Sequence, residues 1–402
     1  MAVTITIAAN MPTLTVEAYL NGAWRDISAY VIAIETDLGR EWESDEYSSS
    51  LTLVLNNTDG RFSQANTSGP YSSAGVSWIY ALTPIRVRST WDGTTDDLGF
   101  GYADDWIDTY PASGYNAITT VPCQGSWSAL AAYTPGVESA PVGEGEMSGA
   151  RISRLATSAG WALSTSIDTG LAAMQATTLS SNVWQEMQLV ARSEGGVVYT
   201  DASGALVFED RASLITKSRS TTTQVWFGND VGSGEVPFSD PVPTSSARSI
   251  VNQLDYSAPG GEVQSVSDAT SITRYRARRR TVSDLVCLAD VDVRAVAELD
   301  LARFKDSEYR FRQLSIDPVV FPTVMWPHAC GRQIRDRATI YVDVPVSGQA
   351  ITADAFIEGI RHSISVIDAT WLTTFSFSAT TAYDGFASSL WDTGEWDDAT
   401  WF

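Results

Sequence analysis

The sequence predicts a mainly β fold with a small α+β insert, and three observations support this fold class. Short runs of alternating apolar and polar residues fill residues 14–133 and return after residue 222, as expected of half-buried strands. Asn21-Gly22 and Asp92-Gly93 are dipeptides typical of tight hairpin turns between such runs. Helical spacing of apolar residues is clear twice between the two β regions and once within the second.

The changes in texture along the chain predict four segments, since 402 residues are too many for one ordinary core. We expect residues 1–135 to form an N-terminal β-barrel-type domain. Residues 136–221 should form a linker and a small α+β domain, and residues 222–380 a second β-barrel-type domain with one helix. Residues 381–402 form a C-terminal tail rich in tryptophan and aspartate.

Five strand candidates fill the N-terminal segment, and no helical periodicity interrupts them. Each one alternates between apolar and polar residues and is followed by turn-forming residues. Such a series predicts an antiparallel barrel or sandwich. The candidates are "LTVEAYL", "SAYVIAIET", "SSLTLVLN", "PIRVRSTW" and "DLGFGYADDW".

Two helices and a strand pair are predicted in the insert, after the Gly-, Pro- and Glu-rich stretch "TPGVESAPVGEGEM". Gly160 can end the first helix. Asn182 can cap the second, with Gln185 three residues on, and Gly195 can end it. The apolar positions that share a face are Ile152, Leu155, Ala156 and Ala159 in the first helix, and Trp184, Met187 and Ala191 in the second. "VVYTDASGALVFEDR" then reads as strand, turn, strand.

Strand patterns return in the third segment, where one helix interrupts them. The predicted strands are "TQVWFG", "IVNQLDYS", "SITRYRARR" and "TIYVDVPV". The helix lies in "DVRAVAELDLARFKDS", and Asp292 is its candidate N-cap. Its predicted apolar stripe consists of Val293, Val296, Ala297, Leu301 and Phe304.

The charge balance excludes several classes of partner. The chain has 26 basic and 48 acidic residues and a formal charge of −22, so it repels nucleic-acid phosphates and anionic membranes at long range. We therefore expect no sequence-specific nucleic-acid binding. No apolar run approaches the length of a membrane span, and the first residues do not form a secretion signal. Lys217 and Lys305 are the only lysines, so almost all the positive charge is on arginine.

The stretch "LNNTDGRFSQAN" at residues 55–66 has three conceivable roles: a calcium loop, a phosphate cradle or a surface turn. It supplies one carboxylate, Asp59, where a calcium loop needs several oxygen ligands at alternate positions. No Gly-Lys-Ser or Gly-Lys-Thr follows it, which argues against a phosphate-binding loop. We therefore predict a turn in which Phe62 returns to the core.

Reactive groupings are scarce, and we predict no catalytic, metal or cofactor site. Asp168 and Asp392 each begin an Asp-Thr-Gly triplet, but too little chain follows Asp392 to build the second lobe of an aspartic protease. Cys123, Cys287 and Cys330 are far apart and form neither a disulfide framework nor a zinc motif. His328 and His362 have no neighbours at ligand spacing.

A dense arginine cluster, "RYRARRR", covers residues 274–280. On a strand, Arg274, Arg276, Arg278 and Arg280 would face one way, because side chains alternate. These residues are candidates for docking an acidic partner. The charge balance favours the alternative, a solvated or internally paired strand of a very acidic protein.

Trp391, Trp396 and Trp401 recur every five residues in the C-terminal tail, among acidic and small residues. Three large aromatic side chains are costly to leave in water. They either pack back onto their own chain or anchor a neighbouring chain or a sugar surface. The sequence leaves these alternatives open.

Taken in order, the segments resemble the tail hub family of phage minor tail proteins, which is related to baseplate hub proteins of contractile tails. The stretches that carry the resemblance are "DLGREWESDEYSSSLTLVLNNTDGRFSQANTSGPY", "VWQEMQLVARSEGGVVYTDASGALVFEDR", "SITRYRARRR", "AVAELDLARFKDSEYR" and "IEGIRHSISVIDATWLTTFSFS". The ending "LWDTGEWDDATW" is similar to that of minor tail proteins from long-tailed phages of actinobacterial hosts.

This resemblance implies a structural virion protein without enzymatic activity. It implies a homotrimer at the tail tip, in which two related β-barrel domains per chain form a ring through which DNA passes during ejection. The implied partners are the distal tail protein, the tape measure protein and tip or fibre proteins. The alternatives are a host cell-wall-recognition protein acting through its tryptophans, a cell-wall hydrolase and a distal tail protein.

Overall fold

The computed structural model describes residues 10–40, 46–111, 116–135, 140–245, 249–307, 310–343, 350–380 and 383. Strands dominate the described chain, which confirms the mainly β fold. Among these residues, no helix is long and apolar enough to cross a membrane.

The N-terminal region is built from strands whose side chains alternate between core and solvent. In the first strand Val16, Ala18 and Leu20 are buried. Both turn dipeptides have positive φ throughout, 51° and 77° at Asn21-Gly22, as a two-residue hairpin turn requires. The elements are β1 (Thr13–Leu20), β2 (Ala23–Asp26), β3 (Val31–Gly39), β4 (Ser48–Asn56), β5 (Ser72–Ser73), β6 (Val76–Ser77), β7 (Pro84–Trp91), β8 (Thr94–Ala103), β9 (Ile107–Thr109), β10 (Ile118–Gly125) and α1 (Trp127–Ala131).

Both predicted helices of the insert form as expected. The Asn182 side chain accepts a hydrogen bond from the Gln185 backbone N–H at 3.0 Å, and Gly195 ends that helix with φ 73°. Gly160, with φ 68°, follows the first helix. The elements are β11 (Glu146–Met147), α2 (Ser148–Ser158), β12 (Thr165–Ile167), β13 (Ala173–Met174), α3 (Val183–Glu194), β14 (Val197–Thr200), β15 (Leu206–Glu209), α4 (Ser213–Thr216) and α5 (Ser218–Thr221).

The described part of the third region mixes strands with three α-helices, of which only one was predicted. That helix begins at Asp290, so Asp292 lies in its first turn and is not its cap. A helix with Pro322 at its start and Pro327 inside it has no helical periodicity, because it is apolar on nearly every side. The elements are β16 (Thr223–Phe227), β17 (Pro243–Thr244), β18 (Gln253–Tyr256), β19 (Gln264–Ser267), α6 (Ala269–Tyr275), β20 (Arg279–Val282), α7 (Asp290–Phe304), β21 (Arg310–Phe311), β22 (Gln313–Ile316), α8 (Pro322–Gly331), β23 (Arg337–Asp343), β24 (Ala350–Ser365) and β25 (Thr370–Ala379).

Among the described residues, one 13-stranded sheet runs through both β regions in the order β16-β23-β24-β3-β4-β10-β8-β7-β1-β2, with β22, β25 and β9 paired beside this path. The connection is the antiparallel pairing of β24 with β3, in which Gly359 lies opposite Gly39 and Ile364 opposite Ile34. The described strands do not close into a barrel. The predicted barrel closure is therefore not seen, because strands from both regions pair edge to edge.

The main hydrophobic core packs against the sheet and contains residues from all three regions. Phe62, Trp326, Trp371 and Phe375 are among its fully buried side chains. A second core packs α2 and α3 against β14 and β15, and a third lies beneath α7. The insert is therefore attached to the sheet, since Tyr199 and Val207 belong to the main core.

Candidate functional site: an arginine strip and a buried charge junction

The arginine cluster forms a helix end and a bend, so the prediction of a strand across it is wrong. The Asp268 side chain accepts a hydrogen bond from the Ser271 backbone N–H at 2.8 Å and caps α6, which runs to Tyr275. Arg276 follows with φ 63° and ends the helix. Only Arg279 and the next three residues are in a strand, because the cap outweighs the β-branched residues of α6.

The side chains of Arg274, Arg276, Arg278 and Arg279, which we call the arginine strip, are nevertheless all exposed. The bend that presents them is held from inside by the fully buried Asn252. Its amide donates a hydrogen bond to the Arg276 carbonyl at 2.9 Å and its oxygen accepts one from the Arg278 N–H at 2.8 Å. The strip therefore consists of exposed side chains on a backbone that Asn252 holds in one conformation.

Part of the strip's charge is already paired within the chain. Arg279 lies 3.3 Å from a carboxylate oxygen of Asp255, and Arg274 lies over the ring of Tyr275 at 5.2 Å. Arg280 packs 4.7 Å above the ring of Phe304 on α7. Arg279 is therefore paired with a carboxylate of its own chain, as one of the two interpretations of the cluster expected.

The other predicted site residues, Trp391, Trp396 and Trp401, lie outside the described residues. Their role in contacting a partner stays a prediction.

A cluster that the sequence did not predict joins all three regions of the chain. Its members are largely buried and lie where the insert meets the β24–β3 pairing. We call it the charge junction, and it consists of Arg40, Glu209, Lys217, Arg219, Arg335 and Glu358.

Two carboxylates organise the charge junction. Glu209, 1% exposed at the end of β15, pairs with Lys217 at 3.0 Å, Arg335 at 3.0 Å and Arg219. Glu358, 4% exposed on β24, pairs with Arg40 at 3.2 Å. Buried carboxylates are tolerated when they are paired and hydrogen-bonded in this way.

Hydrogen bonds complete the environment of Glu358. Tyr47 donates its hydroxyl hydrogen to one carboxylate oxygen, and Ser378 donates to the other at 2.6 Å. Tyr47 also stacks on Tyr199 of the insert, with ring centroids 5.5 Å apart. The junction therefore fixes the insert to both β regions.

The electrostatics of the junction keep both carboxylates ionised. Burial alone would raise the pKa of Glu358, but Arg40 and Arg335 outweigh it and lower the pKa to about 2. The pKa of Glu209 is also lowered, since Arg335, Arg219 and Lys217 outweigh the effect of its burial. Burial raises the pKa of Tyr47 and Tyr199, so both phenols stay neutral; Tyr47 donates to Glu358, and the Tyr199 oxygen accepts a hydrogen bond from Arg219.

The isolated histidines and cysteines occupy packing positions. Burial lowers the pKa of His328 and of His362 to about 4. The His362 ring packs edge-to-face against the Trp371 ring, with centroids 5.7 Å apart. All three cysteines are buried, and burial raises the pKa of Cys287 and of Cys330 to about 12, which suppresses thiolate chemistry.

Neither carboxylate motif of the sequence forms a site within the described chain. Asp168 pairs with Lys217 at 2.9 Å, and Asp392 lies outside the described residues. The described part of the chain contains no group of three side chains that could hold a metal. Residues 55–66 form the predicted turn, in which Asp59 pairs with Arg61 and Phe62 is fully buried.

The junction predicts a loss of stability in acid. The contribution of Glu358 to the free energy of unfolding is complete above its unfolded pKa near 4.5 and is lost as the pH falls toward 2. The buried neutral His362 adds an earlier loss between pH 6.5 and about 4, since the unfolded state binds the proton more readily. Urea unfolding from pH 7 to pH 3 should therefore show a steady decrease, and a stability maximum near pH 4 would contradict this assignment.

Comparison with known proteins finds likeness in structure and not in sequence. No protein-family model matches the sequence, and no curated protein matches it. Solved tail proteins, two of them described as prophage proteins, do match the structure over nearly their whole length.

The tail protein from Neisseria meningitidis MC58 superposes with a TM-score of 0.58 at 12% identity, covering 92% of this chain and 97% of its own. The 43 kDa tail protein of prophage MuSo2 from Shewanella oneidensis gives 0.57 at 14% identity, covering 92% and 98%. Prophage tail protein gp18 from Listeria monocytogenes EGD-e gives 0.50 at 9% identity, covering 90% and 94%. The chain therefore shares the fold of phage tail proteins over about nine tenths of its length.

Proposed function

We propose that the protein is a structural tail hub, a minor tail protein that forms a homotrimeric ring at the tip of a phage tail. In this role it connects the distal tail protein and the tape measure protein above to tip or fibre proteins below. The ring passes DNA during ejection, and its two β regions act as the barrel-type units of the ring. The virus is a long-tailed phage of an actinobacterial host.

The observation that carries the proposal is the shared fold with proteins described as tail proteins, which spans nearly the full length of both chains. A likeness limited to one module would fit many functions, because folds are reused. Likeness across the β regions and the insert together favours the same kind of assembly.

The charge of the chain suits passage of DNA. Each copy carries a formal charge of −22, and a ring of three copies would carry three times that charge. A lumen lined by part of this charge repels phosphates and keeps DNA from adhering. A basic lumen in the assembled ring would reject this part of the proposal.

We also propose that the role is not enzymatic. His362 is buried and His328 partly buried, both are neutral near pH 7, and the described thiols are buried and protonated. The charged side chains of the charge junction are occupied by their own ion pairs. The histidines and cysteines therefore serve packing, and the charge junction attaches the insert.

The test is the copy number and position of the protein in the virion. Cryo-electron microscopy of tail tips should show three copies directly below the distal tail ring. Native mass spectrometry of the full chain mixed with the distal tail protein of the same phage should show the same stoichiometry. Six copies per tail would favour a distal tail protein, and release of sugar from host cell walls by the purified chain would favour a hydrolase.

A further inference from the structure

A small sheet forms where the insert meets the third region. β11 and β13 pair antiparallel, with Met147 opposite Ala173. On the other side of β13, Met174 lies opposite Cys287, and the Leu288 N–H donates a hydrogen bond to the Ala173 carbonyl at 2.8 Å. Residues 287–288 therefore act as a third strand beside β13 and join the two regions.

One face of this small sheet is turned away from the core. Met174 and Cys287 are buried, so the alternation of side chains places Ala173 and Leu288 on the opposite face. Met147 lies on that face too, because directly opposed residues of paired strands point to the same side. A row of three apolar side chains thus crosses the outer face.

Large aliphatic side chains extend this row in both directions. Leu171 lies two residues before Ala173, and Val291 lies in the first turn of α7, three residues after Leu288. Leu171, Leu288 and Val291 are 47%, 48% and 52% exposed. Single exposed aliphatic residues are common, whereas a contiguous group of them marks an interaction surface. We call this surface the apolar face, and it consists of Met147, Leu171, Ala173, Leu288 and Val291.

The border of the apolar face is acidic. Glu144 precedes Met147 by three residues and is exposed. Asp290 precedes Val291 and accepts a hydrogen bond from the backbone N–H of the exposed Glu262 at 3.2 Å. Within the described part of the chain, these three carboxylates form no salt bridge. They are therefore available to basic groups from outside.

The arginines of the adjoining helices do not neutralise this border, because each already has a carboxylate partner. These helices are α2, α3 and α7, and the ion pairs lie at 2.7, 2.5 and 2.8 Å. The pairs are Arg154–Glu146, Arg192–Asp284 and Arg294–Glu298.

A second copy of the chain is a poor occupant for the apolar face. Each copy carries a formal charge of −22, so two copies repel each other. The densest basic group of the sequence, residues 274–280, would suit the acidic border. Its only apolar side chains are Tyr275 and Ala277, which cannot cover a row of aliphatic residues.

We propose that the apolar face binds a basic amphipathic segment of a different protein. Aliphatic side chains of that segment cover Leu171, Leu288 and Val291, since burial of apolar surface supplies the affinity. Its lysine or arginine side chains meet the acidic border, which fixes its orientation. The carboxylates of that border are Glu144, Glu262 and Asp290. This assignment does not depend on the proposed function in the tail.

A fluorescent peptide of leucine and lysine, 14 residues long and patterned as an amphipathic helix, is the probe. Fluorescence anisotropy at 0.15 M salt measures its binding to the full chain. We expect saturable binding of this peptide and none of a peptide in which glutamate replaces every lysine, because the border repels carboxylates.

Removal of the aliphatic side chains tests whether the probe binds at the apolar face. The triple variant Leu171→Ser, Leu288→Ser and Val291→Ser should raise the Kd about tenfold or more, since it removes the apolar contacts. The matched control removes three other exposed aliphatic side chains at unchanged net charge and should leave the Kd within about twofold. Its substitutions are Val76→Ser, Leu82→Ser and Ile367→Ser.

Removal of the border charges tests the role of the acidic residues. The triple variant Glu144→Gln, Glu262→Gln and Asp290→Asn should raise the Kd about fivefold, because rim charges contribute less than buried apolar contacts. A control with the same change in net charge replaces exposed aspartates elsewhere and should have a much smaller effect. Its substitutions are Asp92→Asn, Asp104→Asn and Asp105→Asn.

Three results would overturn the proposal. Absence of binding of the lysine peptide, or equal binding of the glutamate peptide, would contradict the stated chemistry of the partner. Equal effects of the variants and their controls would mean that the probe binds the acidic surface in general. Sedimentation equilibrium showing a dimer that the three serine substitutions dissociate would assign the apolar face to a second copy. Circular dichroism of each variant confirms that these exposed substitutions leave the fold intact.

Discussion

Replacing Glu358 by glutamine is expected to lower the free energy of unfolding by about 3–5 kcal/mol. Arg40, whose side chain is 12% exposed, would lose its carboxylate partner while remaining in the interior. The amide of glutamine also cannot accept from both Tyr47 and Ser378 as the carboxylate does. The loss is large because an uncompensated buried charge remains, and not because the pair itself is strongly stabilising.

Urea unfolding followed by tryptophan fluorescence at constant protein concentration measures the effect. The matched control is Asp37→Asn, which removes the carboxylate of the Arg361–Asp37 pair between the same two strands. Both side chains of that pair are about half exposed, so we expect a loss below about 1 kcal/mol. Equal losses for Glu358→Gln and Asp37→Asn would refute a special role for the charge junction.

Local features of the fold were predictable because their causes lie within a few residues. The Asn21-Gly22 turn needs only its two positive φ angles, and the Asn182 cap needs only the backbone N–H of Gln185. The error at the arginine cluster is also local. The pattern of alternating arginines favoured a strand, whereas Asp268 caps a helix through Ser271.

The charge junction could not be predicted, because its members are far apart in sequence. Arg40 and Glu358 are separated by 318 residues, and Tyr47 and Glu358 by 311. With 48 acidic residues in the chain, no spacing marks Glu209 or Glu358 as buried. The preference for arginine over lysine was the one relevant signal, since arginine suits fixed, buried pairs.

The pairing of both β regions in a single sheet could not be predicted for the same reason. Alternation along β3 and β24 predicts two strands, but it does not say that a strand near residue 360 pairs with one near residue 35. Gly39 and Gly359, which lie opposite each other in this pairing, indicate a close backbone approach only once the pairing is known. The docking role of Arg274, Arg276 and Arg278 stays a prediction, as does that of the tryptophans.

Gly39, one of these opposed glycines, is the site of the second large expected effect on stability. Replacing Gly39 by alanine is expected to destabilise the protein by about 4 kcal/mol or more. Gly39 has φ 104°, and a Cβ there would lie 2.1 Å from the Glu358 carbonyl oxygen and 2.7 Å from the Gly359 Cα. The same carbonyl accepts a hydrogen bond from the Arg40 backbone N–H at 2.8 Å, so the clash would separate β3 from β24 beside the charge junction.

Gly93→Ala separates this steric effect from the cost of backbone conformation. Gly93 has φ 81°, and a Cβ there would meet nothing within 4 Å, so this variant should lose only about 1–2 kcal/mol. The two variants therefore share an unfavourable φ and differ in the space available to the new methyl group. Urea unfolding of both gives the comparison, and similar midpoints would mean that β3 and β24 can move apart at little cost. A much lower midpoint for Gly39→Ala would show that the pairing of the two β regions is rigid where the insert is attached, because the strands cannot yield there without disturbing Arg40 and Glu358.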